Sequence, residues 1–331
     1  MALRMMDQNR IFLSLIGFLL ISGAVFLTSS ALYAQPDRSV KTFSAPEKAV
    51  KAFVEALKAG EQQDLSALFG PQSVSQLSSG DAVLDRADKE AFLNAYGARN
   101  FLEKKGRNRA VLHVGEDDWS FPIPIVKKGK AWTFDFEEGR EELLNRRIGR
   151  NELRVLQTLE AYVVAQREYI ARDWMGSGVH AFAKRLLSSP GKKDGLYWPV
   201  KEGEEESPLG PLAAMANREG YKGNTTAPAP FQGYYFRILT AQGENAPGGA
   251  YDYVVKENMI LGFGLIAYPA KYGSSGVMTF LVNQQGAVYQ KDLGKNTAEE
   301  AAAIRAYDPD RTWRKVEGTT GGNKASSLKL K

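Results

Sequence analysis

Two histidines, His113 and His180, supply all the imidazole in this chain of 331 residues, and it contains no cysteine. Without thiols there are no cysteine nucleophiles, thiolate zinc sites, disulfides or acylated lipoprotein cysteine. Histidine-based metal chemistry would need a spacing such as H-x-x-x-H or H-E-x-x-H, and neither occurs. His113 stands in "RAVLHVGEDDW", close to Glu116, Asp117 and Asp118. An imidazole beside carboxylates could move a proton. The plainer reading is a strand histidine with a local partner, next to a solvated hairpin turn at "EDD".

Three other stretches could carry chemistry. "ARDWMGSGV" resembles the start of a calcium loop in which only Asp173 keeps its carboxylate, whereas calcium takes about six or more oxygen ligands. "KEGEEESPLGPL" gathers Glu202, Glu204, Glu205 and Glu206. Such a run is a solvated loop, or a lure for a cation or basic partner. "GFGLIA" spells G-x-G-x-x-A, but Tyr268 and Pro269 continue a strand pattern where a dinucleotide site needs a helix to open. There is no G-x-S-x-G nucleophile elbow. The sequence therefore offers no catalytic constellation, and neither a cofactor nor a metal is expected. Apolar loop residues, notably Trp174, Tyr197 and Trp198, offer a surface for a partner instead.

The elements that must position these residues can be read from periodicity. In "SAPEKAVKAFVEALKAG", Ser44 is expected to cap a helix with Glu47, and Ala49, Val50, Phe53, Val54 and Leu57 form its apolar stripe. A weaker helix is expected over residues 89–96. Strands follow, with Trp119, Phe121, Ile123 and Ile125 on one face and a turn at "KKGK". Pro122 and Pro124 mark an edge or a bulge. A helix of thirty or so residues comes next (~45 Å), with Ile148, Val155, Tyr162 and Tyr169 recurring every seven residues. Antiparallel strands close the chain, among them the hairpin "SGVMTFLVNQQGAVYQ", both faces of which are largely apolar. One face is expected on the long helix, the other partly under the irregular region 176–232.

The 43 Lys and Arg against 38 Asp and Glu leave a formal charge of only +5. Arg146, Arg147, Arg150 and Arg154 suit the solvated side of a helix, so no nucleic-acid partner is expected. The N-terminus has Arg4 and Arg10, a long uncharged apolar run, and small residues at Ser29, Ala31 and Ala34. That is the pattern of a secretory signal peptide over residues 1–34, with cleavage after Ala34. No later segment could span a membrane. The final "GTTGGNKASSLKLK" reads as a disordered tail.

"LHVGEDDWSFPIPIVKKGKAWTFD", "NRRIGRNELRVLQTLEAYVVAQREY", "GLYWPVKEGEEESPLGPL" and "MTFLVNQQGAVYQKDLG" closely resemble domain-of-unknown-function family 2950, a family of exported bacterial proteins. The likeness covers essentially the whole chain after the signal segment and implies no activity. Where the family often has an Asp-rich run, this chain has "DWMGSG", which departs from any metal site there. More weakly, "TLEAYVVAQREY", "GYYFRIL" and "AYPAKYGSSGVMTFLV" look like the globular part of type IV pilins, though the signal segment lacks the prepilin pattern. The N-terminal part is similar to nuclear-transport-factor-like folds.

The expectation is thus an α+β protein: a small helix-and-sheet domain over 42–138, a long helix with an antiparallel sheet over 139–316, and a tail over 317–331. It would be a periplasmic or otherwise extracytoplasmic, non-enzymatic protein that binds an envelope protein or polymer. An enzyme using carboxylate or histidine chemistry, or an accessory component of a pilus or secretion system, are the alternatives.

Overall fold

Gly139 sits where no side chain fits: a Cβ there would come within 2.4 Å of the Ile123 Cα and the Pro122 carbonyl. That close approach seats the start of the long helix α5 (Phe136–Ile170) on the proline-broken strand before it. The computed structural model describes residues 40–201, 203–221 and 229–317. The signal segment, its cleavage point, Glu202 and the tail from 318 lie outside the described residues.

The chain is α+β. Helices α1 (Pro46–Ala59), α2 (Gln62–Phe69), α3 (Ser73–Leu77) and α4 (Ala82–Ala98) precede the first sheet. Its strands are β1 (Asn100–Lys104), β2 (Arg109–Val114), β3 (Trp119–Ser120), β4 (Ile125–Lys128) and β5 (Ala131–Phe134), in the order β1-β2-β4-β5 with β3 paired to β2. The stripe of α1 is buried as its spacing requires, Ala49, Val50, Phe53 and Val54 all facing inward. The capping expectation fails. Ala45 is the N-cap, with no side-chain bond, and Pro46 supplies the fixed φ of the first turn. Helix α4 runs well beyond 89–96 because Asp81 caps it, accepting from the Val83 and Leu84 amides. Pro122 and Pro124 interrupt the ladder between β3 and β4, and Gly129 turns β4 into β5 with φ 66°.

After α5 the chain runs irregularly to α6 (Gly210–Glu219) and then into strands. A second sheet, all antiparallel, is built from β6 (Tyr234–Leu239), β11 (Gly264–Pro269), β12 (Met278–Asn283), β13 (Val288–Asp292) and β14 (Arg314–Lys315), in the order β14-β13-β12-β11-β6. Two short pairs lie between β6 and β11: β7 (Ala241–Gln242) with β8 (Tyr251–Asp252), and β9 (Val254–Val255) with β10 (Asn258–Met259). Helix α7 (Thr297–Ala303) precedes the last strand.

The β12–β13 hairpin forms as its pattern requires, with Gly286 at φ 76° in the turn. One face of β12, Phe280 and Val282, packs with Val155, Leu159, Tyr162 and Tyr169 of α5. Ile148, expected in that stripe, is only half-buried and lies outside this core. The other face is covered differently from expectation. Leu281 and Ile266 pack with Ala301, Tyr307 and Trp313, so α7 and the C-terminal segment close it. The irregular region contributes Ala183, Leu196, Trp198 and Leu209 to the α5 side instead. Gln166, fully buried in α5, explains this: its amide exchanges hydrogen bonds with the Ala183 amide (2.9 Å) and carbonyl (2.8 Å) and pins that region to the helix.

Candidate functional site

The histidine and acidic residues come together only as a surface array across two strands. His113 lies opposite Phe101 in the β1–β2 register, and the two rings stack at 4.7 Å. Its Nε2 is 3.0 Å from the Glu103 carboxylate and its Nδ1 3.0 Å from the Asp118 carbonyl oxygen. The hydrogen bond from His113 holds the Glu103 carboxyl below the ordinary carboxylate range, with a further contribution from Lys105. Asp118 pairs with Arg99 at 2.8 Å, while Glu116 and Asp117 are exposed in the turn between β2 and β3. Each polar contact here is local, and His113 lines neither of the two cavities described below. His180 bonds through Nδ1 to the Ile170 carbonyl at the end of α5.

The aromatic loop residues cluster rather than lie flat. Trp198 is buried, its ring 4.9 Å from that of Trp174. Lys193 Nζ lies over both rings, at 5.2 and 5.1 Å, and Arg172 lies over Trp174 at 5.3 Å. Tyr197 is half-buried against the same core, its backbone paired with Leu186 and Ser188. The cluster borders a cavity of about 540 Å³. The charged groups there are already engaged: Arg172 pairs with Glu205, and Asp194 accepts from the Ser189 amide and hydroxyl, 2.7 Å each. Asp173 closes its own loop, accepting from the Met175 and Gly178 amides and the Ser177 hydroxyl. Glu204 accepts from the Lys201 amide and Glu206 is exposed. Among the described residues no three His, Asp or Glu side chains are grouped to hold a metal ion.

A second cavity, of about 520 Å³, opens between the first four helices, the first sheet and α5. Its walls are Phe53 and Leu57 of α1, Leu65 and Phe69 of α2, Phe92 and Ala95 of α4, Val114 of β2, Phe121 and Ile123 of the segment between β3 and β4, and Leu143 of α5. The rings are arrayed edge to face: Phe53 lies 5.3 Å from Phe69, 5.4 Å from Phe92 and 5.0 Å from Phe121. Such mutually packed rings make a stiff wall that keeps its shape without a ligand.

The rim of this cavity is charged. Arg146 bonds to Glu142 at 2.7 Å and to the Ser120 carbonyl at 2.9 Å, and lies over the half-exposed Trp119 ring at 5.6 Å. Arg150 pairs with Asp88 at 2.6 Å. Asp85 accepts from the Ser78 hydroxyl and the Ser79 amide. Arg147, between them in sequence, has a buried Nη1 with no hydrogen-bond partner. Burial lowers its pKa, and Asp85 and Asp88 oppose that shift. Of the four arginines expected on a solvated face, Arg146 and Arg150 are exposed as expected and Arg154 is half-buried, while Arg147 turns its guanidinium inward; Arg146, Arg147 and Arg150 also flank the cavity. A run of arginines on a helix carries no mark of what α4 brings opposite it, so the sequence held no signal for this site.

No curated protein and no solved structure is found similar to this chain. The likenesses to pilins and to nuclear-transport-factor-like folds therefore rest on the quoted residues alone. One family model does match, over residues 40–316. The chain belongs to that family, described as protein of unknown function DUF2950.

Proposed function

We propose that the protein is an exported, non-enzymatic binding protein that takes an apolar small molecule into the cavity of its N-terminal half. The observation that carries this reading is the cavity itself, about 520 Å³ with aromatic and aliphatic walls from five helices and the first sheet. Small-molecule sites have this size and lining, with a few polar groups at the mouth to orient the ligand. An enzyme would need an acid or base free to act in such a space, whereas His113 and Glu103 satisfy each other on the open sheet and, at the rim, Asp85 is held by Ser78 and Ser79 and Asp88 by Arg150. Export is supported by the charged, apolar and small-residue segments of residues 4–34. Among the described residues no helix is long and apolar enough to cross a membrane.

Two measurements test the proposal. Protein purified from the envelope fraction is extracted with organic solvent and the extract analysed by mass spectrometry. A compound carried by the wild type and lost in Phe92→Glu supports the reading; equal extracts from both overturn it. N-terminal sequencing of the same material should begin at Gln35. An intact Met1 in the membrane fraction would make this an anchored protein.

A further inference from the structure

We infer that the ligand of this cavity is a single-chain amphiphile with a carboxylate head, and that Arg147 reads the head. The inference rests on the binding role proposed above and goes beyond it to the ligand's chemistry. Apart from Gln62 and Ser78 the uncharged lining is apolar, so orientation of a ligand falls mainly to the charged rim. There Arg146, Arg147, Arg150 and Lys89 face Asp85 and Asp88, an excess of positive charge. Most of these groups are committed. Arg146 is held by Glu142 and the Ser120 carbonyl, Arg150 by Asp88, and Asp85 by Ser78 and Ser79.

Two rim cations have no such partner, Lys89 and Arg147, and of these Arg147 holds the buried donor: a half-buried guanidinium whose Nη1 meets no acceptor. An unsatisfied buried donor costs free energy that an incoming acceptor would recover. A guanidinium is planar and matches a carboxylate with two parallel hydrogen bonds. Its partial burial strengthens such a pair relative to one in open water. The two neighbouring carboxylates lower its appeal to a highly charged polyanion, and the apolar space of about 520 Å³ behind it suits one chain rather than a surface. These features together select a monoanionic head on an apolar tail.

The test uses the full chain and two fluorescent probes of the same shape, cis-parinaric acid and its methyl ester, each below its aggregation threshold. The acid should bind about tenfold to a hundredfold more tightly than the ester, the range expected for a charge-assisted hydrogen bond. Arg147→Gln should erase most of that difference, chiefly by weakening the acid, and Arg147→Lys should restore part of it. Equal affinity of the unmodified chain for acid and ester overturns the inference while leaving the binding role standing. Binding of neither probe overturns the binding role itself. Capture by phosphatidylglycerol vesicles without binding of the free acid also overturns the inference, in favour of a membrane surface. The comparison within the unmodified chain decides the matter even if Arg147→Gln does not fold, which thermal melting reports.

Discussion

At the scale of single residues, Asp81 ties distant parts of the described chain together. It is fully buried, and its carboxylate accepts four hydrogen bonds. Two come from the α4 amides of Val83 and Leu84; the others come from Tyr221 Oη (2.7 Å) and the Gly233 amide (2.9 Å) of the C-terminal half. Asp81→Ala strands all four donors at once and should cost ~3 kcal/mol or more. Tyr221→Phe removes one donor and leaves the Gln232 amide without its partner, and should cost about 1–3 kcal/mol. Denaturant melts of the two variants check the ordering. His113→Ala should do little, because its partner Glu103 is open to water. The folded-state pKa of Glu103 is depressed, so whatever stability the pair gives is present above the ordinary carboxylate range. It is lost as pH falls through the lowered value. Melting midpoints of His113→Ala and wild type should therefore converge at acid pH; a gap that persists there would assign His113 another role. In the sequence Asp81 reads as one more polar residue after "SSG", since its partners stand 140 and 152 residues away.

Among the elements, α5 is the one that its own pattern announces. Val155, Tyr162 and Tyr169 repeat at a spacing that keeps one face inward, and the structure buries all three. The covering hairpin was equally legible, since β12 is apolar on both sides and must be sandwiched. What covers the second face was not. Helix α7 and the segment through Trp313 are too short and too mixed in composition to reveal their face from period alone. Phe280→Ala should destabilise the protein by ~3–5 kcal/mol, as truncation of a fully buried aromatic does. Val155→Ala should cost less. The two share one core and should couple, so a double-mutant cycle in denaturant should depart from additivity. Strict additivity would separate the hairpin from the helix. The cavity was invisible for a different reason: Phe53, Phe92 and Phe121 look the same in sequence whether they face another side chain or an open space.

For the molecule as a whole, the buried tyrosines set a limit at high pH. Burial raises the pKa of Tyr162, Tyr221, Tyr234, Tyr253 and Tyr307, and pushes Tyr169 up to about 12. An unfolded chain would release these phenolic protons near pH ~10. The stability they contribute is therefore complete below that value and drains away as pH climbs through the folded-state values. Phenolate absorbance and circular dichroism followed together should change in step above pH ~10; full ionisation with intact dichroism would contradict the burial. A related consequence belongs to α5. Its first turns carry Phe136 and Leu143 into the N-terminal core, and its later turns carry Val155 to Tyr169 into the C-terminal one. Between them Asn151 donates to the Ser275 carbonyl, and the Glu152 carboxylate accepts from the Val277 and Met278 amides. Neither core can melt without fraying the rod that the other is wrapped on. Heat should thus take the chain apart in one calorimetric peak, its van't Hoff and calorimetric enthalpies agreeing. An occupant lodged beside Arg147 would then raise the melting temperature of strands that it never touches.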